Sequence, residues 1–189
     1  MSPTREQIYR RRRIAAVIAG AVALLLIIIA LGLFGTQPAT TIQGDQLGPD
    51  NDESATAYQA RAEEALAAAE DPTYALVAFD EPQSAEAAAA SVEDAQRMSA
   101  IIVGNSAHIA VPEPIDGETR VDVINTVFER AGEALSGIGD IPAPDTVSAV
   151  VIWDDPDTLR AIAEKPHVTT VEPAPADAAW GSFSVRVPH

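Results

Sequence analysis

An apolar run without a single charge extends from Ile14 to Phe34, and it constrains this chain more than any other feature. As an α-helix it would be roughly 31 Å long, about the thickness of the hydrocarbon core of a bilayer. A cleaved signal peptide is the alternative, but its apolar region is shorter and ends in small residues, whereas this run ends in Leu-Phe-Gly-Thr-Gln-Pro. The sequence therefore predicts a retained transmembrane signal-anchor over residues 14–35.

Residues 1–13 form a basic segment that sets the expected orientation of this helix. Four consecutive arginines end it: Arg10, Arg11, Arg12 and Arg13. Because basic flanks stay in the cytoplasm, we expect a single-pass protein of the cytoplasmic membrane with its amino terminus inside and residues after about 35 outside. Ala16 and Gly20 are four residues apart, a spacing that allows close helix–helix contact in lipid, although alanine-rich chains contain such pairs by chance.

The charge of the outer part is strongly negative. Residues 36–189 contain 7 basic and 27 acidic side chains, a net charge of −20. Such a surface argues against nucleic acid as a partner and favours other membrane or envelope proteins with a basic surface. The chain has no Cys, which excludes disulfides, thiolate metal sites, thiol catalysis and a lipidated cysteine anchor.

The outer part divides into a linker and one domain. Residues 36–53 are rich in Pro, Gly, Thr, Gln and acids without periodicity, which predicts a flexible acidic linker. Its acidic cluster at 50–53 lacks the glycine and distal glutamate of a calcium loop. From residue 54 apolar periodicity predicts helices over 54–70, 84–96, 119–135 and 156–164. It predicts strands over 73–79, 98–103, 108–111, 147–153 and 168–171, and a final edge strand over 182–187.

A weak internal repeat relates residues 74–90 to residues 148–164. Each copy has a buried strand, an aromatic residue, an Asp that ends the strand (Asp80 or Asp154), a second acid and a Pro near the start of a helix (Pro82 or Pro156). Two strand–helix–strand units predict an α+β, ferredoxin-like domain over 54–189. Its antiparallel or mixed sheet would have 4–5 strands, helices on one face and the helix 119–135 inserted between the two halves.

The second unit resembles a known family through Leu159-x-x-Ile162-Ala163-x-x-Pro166-x-Val168-x-x-Val171-Glu172-Pro173. These residues are similar to the second helix and last strand of the subtilisin propeptide and inhibitor family. The resemblance implies a ferredoxin-like fold and, as an alternative function, action on an extracytoplasmic serine protease. In that family a tail enters the protease cleft, whereas here residues 174–180 lead into another predicted strand.

The layout of the whole chain resembles the single-pass accessory proteins of actinobacterial envelope complexes. An Arg-rich amino end, one apolar helix and a small, alanine-rich acidic domain carry this likeness, which rests on topology and composition. Accessory subunits of the cytochrome bcc–aa3 respiratory supercomplex are one such group. The resemblance implies a protein-binding role within a membrane complex.

No set of candidate catalytic residues converges in the sequence. His108, His167 and His189 are scattered, and there is no Gly-x-Ser-x-Gly elbow, His-Glu-x-x-His or phosphate-binding glycine loop. The acids at 154–157 suit a helix cap better than a cation site. Trp180 would close the end of the core or, as the alternative, contact a partner. We therefore predict a non-enzymatic accessory subunit with no catalytic, metal or cofactor-binding residues and no cofactor.

Overall fold

The computed structural model describes residues 45–104, 106–137 and 142–188. The helices are α1 (Ala55–Ala68), α2 (Ala85–Ser91), α3 (Arg120–Leu135) and α4 (Pro156–Ala163). The strands are β1 (Gln46–Leu47), β2 (Thr73–Gln83), β3 (Arg97–Ile102), β4 (Ile109–Ala110), β5 (Val147–Asp154), β6 (Val168–Pro173) and β7 (Ser184–Val185). None of the helices in these ranges is both long and apolar enough to cross a membrane. The predicted anchor over 14–35 lies outside the described residues.

Five strands form one antiparallel sheet in the order β4-β3-β5-β2-β6. β5 lies at its centre, with Ile152 opposite Ala75 of β2 on one side and Met98 of β3 on the other. Its residues Val150 and Val151 are fully buried. The predicted α+β class is therefore confirmed, and β5 is the central strand of the sheet.

The connections follow the two units that the repeat predicted. The first unit runs β2–α2–β3 and the second runs β5–α4–β6, while β4 and α3 lie between them in the chain. The strands of the two units alternate in the sheet, because β2 lies between β5 and β6 and β5 lies between β3 and β2. Residues from all four helices join one core cluster on one face of the sheet, which we call the helix face; they include Leu66, Ala88, Ile124 and Leu159.

Local sequence explains where most helices begin. Ser54 and Ser84 cap α1 and α2 by accepting hydrogen bonds from backbone amides, and Thr119 forms a reciprocal capping box with Asp122 at the start of α3. Asp155 caps α4, and Pro156 occupies its first turn, where a missing N–H costs nothing. These caps fix the helix starts to within about one residue of the predicted positions.

The first unit differs from its prediction at Pro82 and at the end of α2. Pro82 lies near the end of β2, where the pairing with β5 is irregular between Ala78 and Gln83, so the missing N–H is tolerated there. The helix predicted to reach residue 96 ends at Ser91. Arg120 explains the early end, because its guanidinium donates to the carbonyls of Val92 and Ala95 (2.6 Å for Ala95) and holds this segment as a turn.

The opposite side of the sheet, here called the second face, is covered by the two ends of the domain. Its cluster combines Leu76, Ala149 and Val151 of the sheet with Leu47 and Phe183 from outside it. β1 and β7 pair in parallel as a separate two-stranded sheet. The expectation that residues 182–187 form an edge strand of the main sheet is therefore wrong, because β7 pairs with β1 instead.

The start of the domain also differs from its prediction. Residues 45–53 were expected to belong to a flexible linker, but Leu47 is only 2 % exposed and Asp50, Asn51 and Glu53 make specific hydrogen bonds. The composition of this segment is that of a linker, and only its contacts with distant parts of the chain give it a fixed structure. The folded domain includes residues from Asp45 onwards.

Candidate protein-binding surface

Trp180 lies in an aromatic cluster at the second face. Its ring centroid is 5.4 Å from that of Tyr74, 5.9 Å from that of Phe183 and 5.9 Å from that of His108. Tyr74 and Phe183 also contact each other, with centroids 5.5 Å apart. The tilted and edge-on angles between these rings are those that aromatic quadrupoles prefer. We refer to these four residues as the aromatic cluster.

Three separate segments hold the aromatic cluster together. Tyr74 is on β2, His108 precedes β4, and Trp180 and Phe183 belong to the segment after β6. That segment is shaped by a turn in which Ser182 donates to the carbonyl of Ala179 through both its backbone N–H and its hydroxyl, and by Gly181 at φ +84°. Phe183 is 5 % exposed and anchors the segment on the sheet.

Trp180 is both a packing residue and an exposed one. It contacts its neighbours on one side, yet 37 % of its surface is accessible. Among the described residues, Ile115 at 71 % is the other large apolar side chain that is exposed to this extent. Trp180 therefore does not seal the core as a buried residue would, and the structure brings it together with Tyr74 and His108, which the sequence did not connect to it.

The basic side chains of the domain are mostly used in internal contacts. Five of the seven have polar partners within the described residues: Arg61, Arg120, Arg160, Lys165 and Arg186. Backbone carbonyls accept from all five of them. Because these cations stabilise loops and helix ends, they do little to attract acidic partners, and the surface remains dominated by carboxylates.

A buried carboxylate joins the start of the domain to its last long strand. Glu172 of β6 is 3 % exposed and accepts hydrogen bonds from Arg61 Nη1 (2.6 Å), the Tyr58 hydroxyl (3.1 Å) and the Gly48 backbone N–H. Arg61 also donates to both carboxylate oxygens of Glu53, each at 2.9 Å. Glu172 is thus surrounded by donors, which offsets the cost of removing its charge from water.

The ionisation of this network is shifted by the same contacts. The hydrogen bonds from Arg61 and from the Asp50 N–H lower the pKa of Glu53 to about 2. Burial, together with the negative charge of Glu172, raises the pKa of the Tyr58 hydroxyl above its usual range. The two glutamates raise the pKa of Arg61. These directions keep Glu53 and Arg61 charged at neutral pH, as expected for a structural network.

The sequence did not indicate this network. In the sequence, Glu172 belongs to the family-like pattern, and Tyr58 and Arg61 fall within the helix predicted over 54–70. The one signal available was an acid next to β-branched residues in a strand. The partners of that acid are more than a hundred positions away in sequence, so a pattern read along the chain does not reveal them.

Among the acids at residues 154–157, Asp155 performs the capping role that was expected, and Asp154 also contacts a distant segment. Asp154 is 1 % exposed and accepts from the Gln96 backbone N–H at 2.6 Å and from the Asp155 N–H at 2.7 Å. Asp155 caps α4 by accepting from the N–H groups of Asp157 and Thr158, each at 3.0 Å. The interpretation of this segment as a helix cap is confirmed.

The structure places the candidate histidines apart. His108 belongs to the aromatic cluster, while His167, at φ +66°, has its Nδ1 3.3 Å from Asp80 Oδ2 on the surface. His189 lies outside the described residues, as do Arg10, Arg11, Arg12, Arg13, Ala16 and Gly20. In the described parts of the chain, no three His, Asp or Glu side chains come together as a metal site would require.

Comparison with models of protein families, with curated proteins and with solved structures finds no match.

Proposed function

We propose that this chain is a membrane-anchored, non-enzymatic accessory subunit whose domain binds another protein outside the cytoplasmic membrane. One observation carries the proposal: the exposed face of Trp180 is held in place by Tyr74 and Phe183. Tryptophan is enriched among the residues that dominate interface energies, and a ring already fixed by its neighbours loses little freedom on binding. The aromatic cluster is the proposed contact surface.

The charge of the domain supports a partner of complementary sign. Residues 36–189 have a net charge of −20, and most of their basic side chains are engaged internally. A basic surface on the partner, such as a cytochrome c domain in a respiratory supercomplex, fits this charge. Complementary charges of this kind raise the association rate and make it sensitive to salt.

The interleaved strand–helix–strand units support a ferredoxin-like description of the domain. The same fold is that of the protease propeptide family, and inhibition of an extracytoplasmic protease remains the alternative function. It has less support, because the tail needed to enter a protease cleft folds back along the domain, where Ala174 N–H donates to the carbonyl of Tyr74 and β7 pairs with β1.

Purification of the full chain in mild detergent tests the proposed function. The wild-type chain is expected to retain stoichiometric membrane partners, and Trp180→Ala is expected to lose them while the domain stays folded. Ile115→Ala is the matched control, since Ile115 is also exposed but belongs to a loop outside the aromatic cluster. A lone monomer that turns over an envelope substrate would overturn the proposal.

The predicted anchor has its own test. A reporter that functions only outside the membrane is expected to be active when fused after His189 and inactive when fused before Met1. The reverse pattern would overturn the orientation. A mature chain that starts near Thr36 would show a cleaved signal peptide instead of an anchor.

A further inference from the structure

A groove lies between the edge strand β4 and helix α3, on the helix face and apart from the aromatic cluster. Its volume is about 390 Å³. The apolar part of its lining comes from Ile109 and Val111 on the strand side and from Val123 and Val127 on the helix side. A strand edge beside a helix is the arrangement in which an extended peptide adds to a sheet and places alternate side chains in the groove.

The backbone of β4 is available for such pairing. Val111 N–H donates to the carbonyl of Ser99, and Ile109 pairs with Ile101, so these two residues direct their polar groups toward β3. Since alternate residues of an antiparallel pair point to opposite sides, the N–H and C=O of Ala110 face away from the sheet. Ala110 is exposed, and among the described strands β4 is at the edge of the sheet with β3 as its one neighbour.

The charges that line the groove differ along its length. Glu118 precedes α3 and Asp122 lies in its first turn, while Arg130 lies two turns further on. Arg130 is exposed and, within the described residues, pairs with no carboxylate, unlike most basic side chains of this acidic domain. The groove thus has an acidic end and a basic end.

We propose that this groove binds an extended five-residue segment of a partner protein. Its first residue is basic, its third is apolar and its fifth is acidic. Asp122 and Arg130 are eight residues apart on a helix, a rise of about 12 Å, which an extended chain covers in about four residues. The bound sequence is therefore basic–x–apolar–x–acidic, with the basic residue toward Asp122 and the acidic residue toward Arg130. The segment pairs with Ala110 and continues the antiparallel sheet.

The direction of the segment follows from the order of β4. That strand runs from Ile109 toward Pro112, which precedes the acidic end of the groove at Glu118. An antiparallel segment runs the other way, so its basic residue comes first and its acidic residue last. The residue before the acidic one lies opposite Ala110, and its N–H donates to the Ala110 carbonyl.

Fluorescence anisotropy on the full chain in detergent tests the proposal with a labelled peptide, blocked at both ends, that contains Lys-Thr-Val-Thr-Glu. We expect saturable binding that weakens by at least about tenfold for the reversed sequence Glu-Thr-Val-Thr-Lys. Methylation of the backbone nitrogen of the second Thr is expected to abolish binding without any change to the protein.

Charge reversal on the protein supplies the second arm. Arg130→Glu is a surface change that leaves the core intact. It is expected to lower the affinity for the original peptide by about tenfold or more and to raise the affinity for a peptide in which Lys replaces the final Glu. Arg97→Glu is the control, because Arg97 is an exposed basic residue outside the groove. The proposal would be overturned if the forward and reversed peptides bound with equal affinity, or if N-methylation left the affinity unchanged. It would also be overturned if self-association of the chain displaced the peptide. None of these outcomes depends on Trp180.

Discussion

The two faces of the five-stranded sheet are covered by different kinds of chain. The helix face is packed by four helices that contribute aliphatic residues such as Ile124, Leu159 and Ile162. The second face is covered by the ends of the domain, where Leu47 and Phe183 pack on Leu76, Ala149 and Val151. The helix face is a broad apolar core, whereas the second face combines a smaller apolar cluster with the partly exposed Trp180 and the buried carboxylate of Glu172.

If the proposed function holds, this difference separates the part of the domain that supplies stability from the part that binds a partner. The helix face is made of regular elements that bury whole apolar stripes, so it supplies most of the hydrophobic stabilisation. The second face exposes Trp180 and depends on single contacts such as those of Glu172. A surface of this kind is available for a partner without disturbing the core.

Substitutions of two adjacent residues of β5 allow a direct comparison of how much each face contributes to stability. Ile152 faces the helix face and Val151 faces the second face, and both are fully buried. Ile152→Ala is expected to lower the free energy of unfolding by roughly 2–5 kcal/mol, and Val151→Ala by about 2 kcal/mol, because fewer carbons are removed and the covering segment relaxes more easily. Denaturant titration of both variants measures the difference. A larger loss for Val151→Ala would break the comparison.

Deletion of β1 tests how far the second face depends on the start of the domain. A chain that begins at Ser54 lacks Leu47 and Gly48, and we expect it to be less stable than one that begins at Gln43 by about 3 kcal/mol. In the chain that begins at Ser54, we expect amide hydrogen exchange to be faster in the segment around Phe183, on the second face, than in α4. Equal stability of the two chains would show that β1 is not part of the fold.

Gly48 offers a sharper version of the same test. It has φ +106°, and a Cβ at this position would lie 1.8 Å from the carbonyl oxygen of Arg186. Gly48→Ala is therefore expected to separate β1 from β7 and to cost about as much as the deletion of β1. Gly104→Ala is the control, because a Cβ there meets nothing within 4 Å although φ is also positive. Similar melting temperatures for both variants would contradict the proposed contact.

Trp180→Ala is expected to cost less than the truncation of a fully buried tryptophan. About 1–2 kcal/mol is expected from thermal melting, below the roughly 3–5 kcal/mol typical of a buried Trp, since more than a third of the side chain is exposed. Trp180→Phe keeps an aromatic ring against Tyr74, so it is expected to lower the free energy of unfolding less than Trp180→Ala does. A cost as large as that of a core residue would move Trp180 from the recognition surface to the core.

The smallest effect concerns pH. The folded-state pKa of Glu53 is lowered from 4.5 to about 2, so its contribution to stability is complete above pH 4.5 and is lost as the pH falls toward 2. Glu53→Gln is expected to be less stable than wild type at pH 6 and to approach it near pH 2. Denaturant titrations at these two pH values measure the change, and an equal difference at both would contradict the assigned cause.

Local patterns predicted the helix face well. The start of α3 after Thr119, the cap at Asp155 and the apolar strand around Val150 are all set by residues within a few positions of each other. Such features are visible in sequence because helix and strand periods place neighbouring residues on a common face. The weak repeat predicted two strand–helix–strand units, and both contribute strands to one sheet.

Local patterns failed where the contacts are distant. The end of α2 depends on Arg120, and the aromatic cluster joins residues of β2, the turn before β4 and the segment after β6. Trp180 was recognised as a candidate because an isolated large aromatic residue is rare in this chain, whereas the neighbours that fix its ring were not. The groove at Arg130 depends on how the loop between β4 and α3 brings these two consecutive elements side by side.

The sequence by itself determined the α+β class, the order of helices and strands from residue 54 onwards and the strongly acidic character of the outer part, because these follow from composition, caps and short-range periodicity. Only the tertiary structure decided that residues 45–48 belong to the domain, that β7 pairs with β1 and that Glu172 is buried among Tyr58, Arg61 and Gly48. The physical reason is that a polar segment without periodicity gains a fixed structure only from partners far along the chain, and those contacts leave no pattern in the local sequence.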